Sequence, residues 1–258
     1  YFSINSGVKG VNVTLTNGPQ AGLQSLCYAY NVVKTGDEKM MIATGLDENT
    51  DIMELLYDKL GLLSDKDEAT PYAMDGRSFV LGEGATSIML ESEASANERG
   101  AKKLAEVAGY AMTHESVTVG TIKGSGAALC KAVLKACENA GITTDDIDAV
   151  GGFGNGNTNV DTIETESYEK VFGDKVKTLP VLSVKTLTGE ARACSAALSA
   201  AHAAMILSGE LDSTQPAYNF VNGKAVKTTT DTKNFKYILV TSYAAGGSYT
   251  AVVLKKVQ

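Results

Sequence analysis

Histidine is scarce in this chain: His114 and His202 are the only two among 258 residues. Four cysteines, Cys27, Cys130, Cys137 and Cys194, stand at unrelated spacings. So few ligands in no recognisable pattern leave no zinc constellation to assemble, and no metal is expected. Thiols without a disulfide framework fit a reducing, cytoplasmic setting. No uninterrupted apolar run reaches the ~20 residues of a membrane span, so no membrane partner is expected. Basic charge is short as well, with 23 Lys and Arg against 30 Asp and Glu and a formal net charge of -7. No basic patch or stripe announces nucleic acid, which is excluded as a partner. The first residues carry neither an initiator Met nor a basic stretch leading into an apolar one. They read as a fragment or processed chain rather than a signal peptide.

What is present is an ordinary folded composition, 44% apolar and 21% charged, with enough apolar material for a sizeable core. Residues 11–15 alternate with period two and predict a strand, and Asn17-Gly18-Pro19 turns the chain. Residues 20–34 put Leu23, Leu26, Cys27, Tyr30 and Val33 on one helical stripe that Gly36 stops. The apolar run 40–43 suits a buried strand. Strand, helix and buried strand in succession open an α/β layer. The same grammar continues with helices over 51–60, 126–140, 161–172 and 194–207. Strands are expected over 86–90, 105–112, 147–150 and 179–184, and 237–241 with 249–254 should close the chain as a hairpin pair.

Four segments carry a family likeness. Residues 75–85, Asp-Gly-Arg-Ser-Phe-Val-Leu-Gly-Glu-Gly-Ala, resemble the D-G-F-V-x-G-E-G-A segment of β-ketoacyl synthases, with extra residues before Phe79. Residues 184–189 resemble the S-x-K-x-x-x-G-H motif of that family, and 242–248 resemble its closing N-S-F-G-F-G-G-T-N motif. Residues 150–173 match its A-H-G-T-x-T-x-x-x-D-x-x-E region in length, with Gly154, Asp161 and Glu164 in register. Each motif is moderate alone; in the family's order across the whole chain they are specific together. Gln20 by itself would read as an ordinary polar residue at the start of a helix, and the ordered motifs reverse that reading.

The resemblance implies a thiolase-like, five-layered α-β-α-β-α fold. Residues 1–100 would supply the remainder of the N-terminal half, with its elbow strand and helix, and 101–258 the C-terminal half. It also implies that the reactive positions are altered. Gln20 stands where the family has its nucleophilic Cys, Phe153 where it has the first His and Glu190 where it has the second. Decarboxylative Claisen condensation needs a thiolate acyl carrier and imidazoles that support an enolate. Gln, Phe and Glu supply neither, so no active catalytic residue is expected.

Gln in place of that Cys, followed by Ala21-Gly22-Leu23, is similar to the β subunit of type II polyketide synthases, the chain-length factor. The implied partners are an active ketosynthase α subunit, in a heterodimer, and acyl carrier protein. The growing chain would ride on the phosphopantetheine of that carrier, with no further cofactor. Asp161, Glu164 and Lys185 match supporting positions of the family, and Lys185 and Glu164 are expected as an ion pair. Val11, Val13 and Leu15 are expected on an interface strand. A separate N-terminal polypeptide, or a cleaved fragment, would complete the first half of the fold. One alternative is a malonyl-carrier decarboxylase that primes synthesis through the Gln20 amide. Another is a purely structural pseudoenzyme without a tunnel.

Overall fold

Pro19 in a single 3-10 turn, Gly18–Gln20, leads directly into helix α2, Ala21–Thr35, which ends at Gly36. Proline suits this entry because its missing N–H lies where a helix start has no partner for one. The computed structural model describes residues 2–66, 68–74, 79–118 and 124–257. A short helix, α1, Phe2–Ser6, precedes this turn. Beyond it come strand β1, Met40–Asp47, helix α3, Asp51–Lys59, strand β2, Gly84–Glu91, and helix α4, Glu93–Glu98. The later part runs β3, Glu106–His114; α5, Ala127–Asn139; β4, Ala149–Gly151; α6, Thr158–Phe172; β5, Val181–Leu182. It ends with α7, Lys185–Thr188; α8, Ala193–Ser208; β6, Thr214–Val221; β7, Lys224–Asp231; β8, Tyr237–Ala244; and β9, Ser248–Lys255.

Two sheets result. The antiparallel pair β1–β2 stands apart from a seven-stranded mixed sheet in the order β3-β9-β8-β4-β5-β6-β7. In the larger sheet β4 lies parallel to β5 and β8, and the other pairings are antiparallel. Period-two alternation divides its core between two faces. Leu239 and Val253 join a cluster with Leu129 and Val133 of α5 and Tyr168 of α6. Ile238, Val240 and Val252 join another with Leu23, Leu26 and Cys27 of α2 and Ala196, Ala200 and Leu207 of α8.

Helices α2 and α8 therefore form a central layer between the sheets. Ala43 of β1 packs into their cluster, and half-buried Ile88 and Leu90 of β2 pack against it. The Ala and Ser content of α8 leaves it buried along most of its length, as a helix apolar all round must be. Its close packing also needs Gly22, since a Cβ there would collide with the Ala193 carbonyl oxygen. The layering is thiolase-like. Four of the five layers come from the described residues, and the outer face of β1–β2, with Met40, Ile42, Leu46 and Met89, is exposed.

The differences from expectation are informative. Residues 11–15 form no strand: they pair with nothing among the described residues, Val11 and Val13 are exposed, and Leu15 is half-buried. Alternation creates a strand only where a neighbouring edge accepts its hydrogen bonds. The run 40–43 is a strand but is buried only at Ala43, because one face of β1 is uncovered. The expected strand 179–184 shrinks to Val181–Leu182. A second hairpin, β6–β7, appears where no element was expected. Its turn is Asn222-Gly223, at φ 52° and 72°, the left-handed pair that a two-residue hairpin turn demands. Among the described residues no helix is long and apolar enough to cross a membrane.

Candidate functional site

Four carriers of the sequence likeness converge on one loop, residues 152–156, between β4 and α6. Asn157 caps α6 by accepting from the backbone N–H groups of Asn159 and Val160, as short polar side chains do at helix starts. This sets Asp161 and Glu164, one turn apart, beneath the loop. Asp161 Oδ1 accepts from Asn155 N at 2.8 Å, and its Oδ2 from Gly156 N at 3.1 Å and Tyr72 N at 2.7 Å. Glu164 Oε1 accepts from Phe153 N at 2.8 Å and Tyr168 Oη at 2.6 Å, and its Oε2 from Tyr72 Oη at 2.9 Å. Both carboxyl groups are fully buried. Burial pushes Asp161 up to about 7 against the pull of its backbone N–H donors, and pushes Glu164 above the usual range.

Phe153 is thus held by its backbone: Glu164 takes its N–H and Lys185 Nζ donates to its carbonyl at 2.6 Å. Its ring lies 5.0 Å from that of Tyr243. Lys185 ion-pairs with Glu190 at 2.7 Å, both side chains nearly inaccessible. The expected Lys185–Glu164 pair is therefore corrected. Glu164 faces hydroxyl and amide donors under the loop, whereas Glu190, five residues beyond Lys185, reaches the ammonium across the turn after α7. Glu190 also accepts from Asn155 Nδ2 at 3.0 Å and Arg192 N at 2.8 Å. Its backbone bonds Val80 and Gly82, so residues 79–84 of the first motif clamp the Glu190 position. Residues 75–78 of that motif lie outside the described residues.

Gln20 is fully buried on the turn before α2. Its Oε1 accepts from Thr250 Oγ1 of β9 at 3.0 Å, and its Nε2 has no partner among the described residues. The side chain makes no capping bond to α2; the Thr250 hydroxyl, reached across the sheet, takes the oxygen that a cap would need. Pro19, Phe153, Lys185, Arg192, Thr241 and Tyr243 meet around a void of about 10 Å³, space for about one water-sized sphere. Phe153, Glu190, Asp161, Glu164 and Lys185 are thus one hydrogen-bonded cluster, and Gln20 is bonded elsewhere, to Thr250. Val11, Val13 and Leu15 lie apart from the cluster, along a groove of about 800 Å³ that β1 also lines.

The sequence reading missed Tyr72. It is buried, at a φ of 63°, with its ring edge-on to Tyr218 and Phe220. Gly154 N donates to its hydroxyl at 3.3 Å. A Cβ on Gly154 would fall inside its ring. The bare Gly152-Phe153-Gly154 spacing was the available signal, since it leaves room for a large side chain. Among the described residues no group of His, Cys, Asp and Glu could hold a metal ion, and Cys194 is buried against Thr86.

Residues 1–96 match the family model for the N-terminal domain of β-ketoacyl synthases, and 104–216 match that for the C-terminal domain. The chain is 28% identical over 270 residues to 3-oxoacyl-[acyl-carrier-protein] synthase 2 of Rhizobium meliloti, covering 98% of this chain and 63% of that protein. Among solved structures it resembles a type II PKS ketosynthase in complex with its acyl-carrier protein, with a TM-score of 0.86 and 20% identity over 99% of this chain and 65% of that one. It also resembles the ishigamide ketosynthase/chain length factor, with a TM-score of 0.79 and 22% identity over 95% of this chain and 61% of that one. At those identities the structures speak for the fold. The chain spans under two thirds of the length of each of these proteins.

Proposed function

Since this chain belongs to the β-ketoacyl synthase family, we propose that it is a chain-length-factor subunit without condensing activity of its own. One observation carries the reading: the groups at the reacting positions are Gln20, Phe153 and Glu190, all buried. An acyl thioester needs a thiolate to hold it and room to lie in; Gln20 is no thiolate, and the space beside Phe153 is about 10 Å³. Enolate stabilisation needs hydrogen-bond donors aimed at a developing oxyanion. Phe153 offers an apolar ring, and Glu190 is a carboxylate already bound to Lys185. The degenerate set is Gln20, Phe153 and Glu190, while Asp161, Glu164 and Lys185 keep the loop in shape.

In this reading the subunit pairs with an active ketosynthase α subunit in the cytoplasm and shapes the tunnel for a chain carried on acyl carrier protein. Residues 1–100 serve as part of the N-terminal half and 101–258 as the C-terminal half. Val11, Val13 and Leu15 are available to act as an interface strand, because among the described residues no strand edge pairs with them. The groove between residues 8–16 and β1 suits extended segments of a companion polypeptide. Its lining mixes apolar side chains such as Val11, Ile42 and Leu46 with polar ones such as Asn12 and Thr44, and among the described residues β1 has an unpaired edge.

One observation favours a second reading, a decarboxylase that primes synthesis from malonyl units. The Gln20 Nε2 group is a buried donor with no acceptor among the described residues, the kind of group that could meet an enolate. The Gln20→Ala variant separates the two in a complex first shown to be assembled. Under the leading reading, product yield falls modestly and acetyl carrier protein does not rescue it. Loss of self-priming that added acetyl carrier protein restores would put the decarboxylase first.

A further inference from the structure

The hairpin β6–β7 leaves the seven-stranded sheet with an open border. β7 is an end strand of that sheet, and among the described residues it bonds β6 alone. All eight of its residues pair with β6 without a break in register. At the opposite end of the sheet, β3 carries an irregularity between Val107 and Gly109, the kind of bulge that blunts an edge. β7 has none, and its Lys224, Val226, Lys227, Thr228, Thr229 and Asp231 are exposed.

Register decides which backbone groups of β7 are unused. Val221 and Lys224 flank the two-residue turn as directly opposed residues, and in such a hairpin that pair exchanges both hydrogen bonds. Alternation then turns the N–H and C=O groups of Lys224, Val226, Thr228 and Thr230 toward β6. Thr232 N keeps the phase by donating to the Ser213 carbonyl at 2.7 Å. The groups of Ala225, Lys227, Thr229 and Asp231 therefore point away from the sheet. Among the described residues the Thr229 carbonyl meets only the neighbouring Thr228 hydroxyl, at 3.3 Å. Lys227 and Asp231 share one face of the strand. Neither has an ion-pair partner among the described residues, and Asp231 Oδ1 accepts only from Lys233 N, at 3.0 Å.

We propose that β7 pairs edge to edge, antiparallel, with β7 of a second copy of this chain, about a two-fold axis at Thr229. Outward groups can meet only outward groups, which leaves few symmetric registers. Centred on Thr229, the pairing sets Lys227 of each copy opposite Asp231 of the other, and Thr228 opposite Thr230. Opposite charges and paired threonines are favourable cross-strand neighbours. Centred on Lys227, it would set lysine against lysine, which is unfavourable. Centred on Thr228, it would oppose Lys227 to Thr229 and leave both charges unmatched. The charge pattern thus selects a second copy in one register and joins two seven-stranded sheets. The contact uses neither residues 11–15 nor β1, and it stands independently of the chain-length-factor reading.

Sedimentation equilibrium of the full chain tests it. The unmodified protein should show reversible, concentration-dependent exchange between monomer and dimer. Thr229→Pro should be monomeric with an unchanged Tm, because the N–H it loses faces outward and serves no bond to β6. Lys227→Asp should weaken the dimer about tenfold or more, since the change acts at both symmetry-related pairs. Adding Asp231→Lys to that variant should restore it. A chain that stays monomeric up to about 1 mM would overturn the proposal. So would dimerisation unaltered by Thr229→Pro, or a double variant that binds no tighter than Lys227→Asp. Should Thr229→Pro fail to fold, the charge reversal and its restoration decide alone.

Discussion

Replacing Lys185 by Met removes the cation that faces Glu190 and supports the Phe153 carbonyl. Lys185 and Glu190 are 6% and 2% exposed at their side chains. Water therefore cannot take over when one partner is lost. Breaking a buried pair by deleting one member costs about 3–5 kcal/mol, since the remaining charge stays desolvated. Glu190 keeps two donors, Asn155 Nδ2 and Arg192 N, which places the loss toward the lower end. Losing the bond to the Phe153 carbonyl offsets that relief, because a hydrogen bond from a charged donor contributes about 1.5–3 kcal/mol. The expected destabilisation is about 4 kcal/mol, a large share of the ~5–15 kcal/mol that holds a typical domain. Glu190→Gln alone should cost about 3 kcal/mol by stranding the ammonium. The double variant Lys185→Met/Glu190→Gln should recover about 2 kcal/mol relative to Lys185→Met, because no buried charge is left over. Equilibrium urea unfolding reports all four proteins, followed by tyrosine fluorescence, for which the chain has 11 Tyr and no Trp. A loss below about 1 kcal/mol for Lys185→Met would refute the reasoning, as would additive losses in the double variant.

Four further outcomes follow from the same geometry. Tyr72→Phe should cost about 1–3 kcal/mol by stripping a donor from buried Glu164. Gly154→Ala should cost at least as much, since its Cβ drives into the Tyr72 ring; equal unfolding midpoints for Gly154→Ala and the unmodified chain would contradict this. His202 is half-buried, and desolvation holds its imidazole below the usual value despite the contact with Gln215. The unfolded chain then binds the proton more readily, so this contribution is complete above about pH 6.5 and declines as pH falls below it. His202→Gln should flatten that part of the Tm–pH curve. Val13→Pro should leave the Tm of the chain alone unchanged, because Val13 is exposed and in no ladder among the described residues, yet abolish the proposed heterodimer on size exclusion by deleting a donor from the proposed interface ladder.

Local pattern was enough for the elements that carry their own signals. Helices α2, α5, α6 and α8 lie within three residues of the expected spans, because an apolar stripe at helical spacing with a stop residue is decided by near neighbours in sequence. The closing pair β8–β9 was legible for the same reason, and β6–β7 could have been, through Asn222-Gly223. The four motifs brought Phe153, Asp161, Glu164, Lys185 and Glu190 into consideration without any knowledge of distance.

Only the tertiary structure decided what these residues do to one another. Residues 11–15 have the alternation of a strand and form none, since a strand exists through hydrogen bonds to an edge that may lie far along the chain. Lys185 pairs with Glu190 rather than Glu164 because an ion pair is settled by which carboxylate the fold brings to the ammonium, and the hydroxyls of Tyr72 and Tyr168 had already claimed Glu164. Tyr72 itself, remote in sequence from every position it bonds, had no local signature: its role arises where two glycines leave space and two buried carboxyl groups need donors. Residue identity was written in the chain from the start, but the burial of Gln20, Phe153 and Glu190 and the contact of the Phe153 ring with Tyr243 are properties of packing in three dimensions.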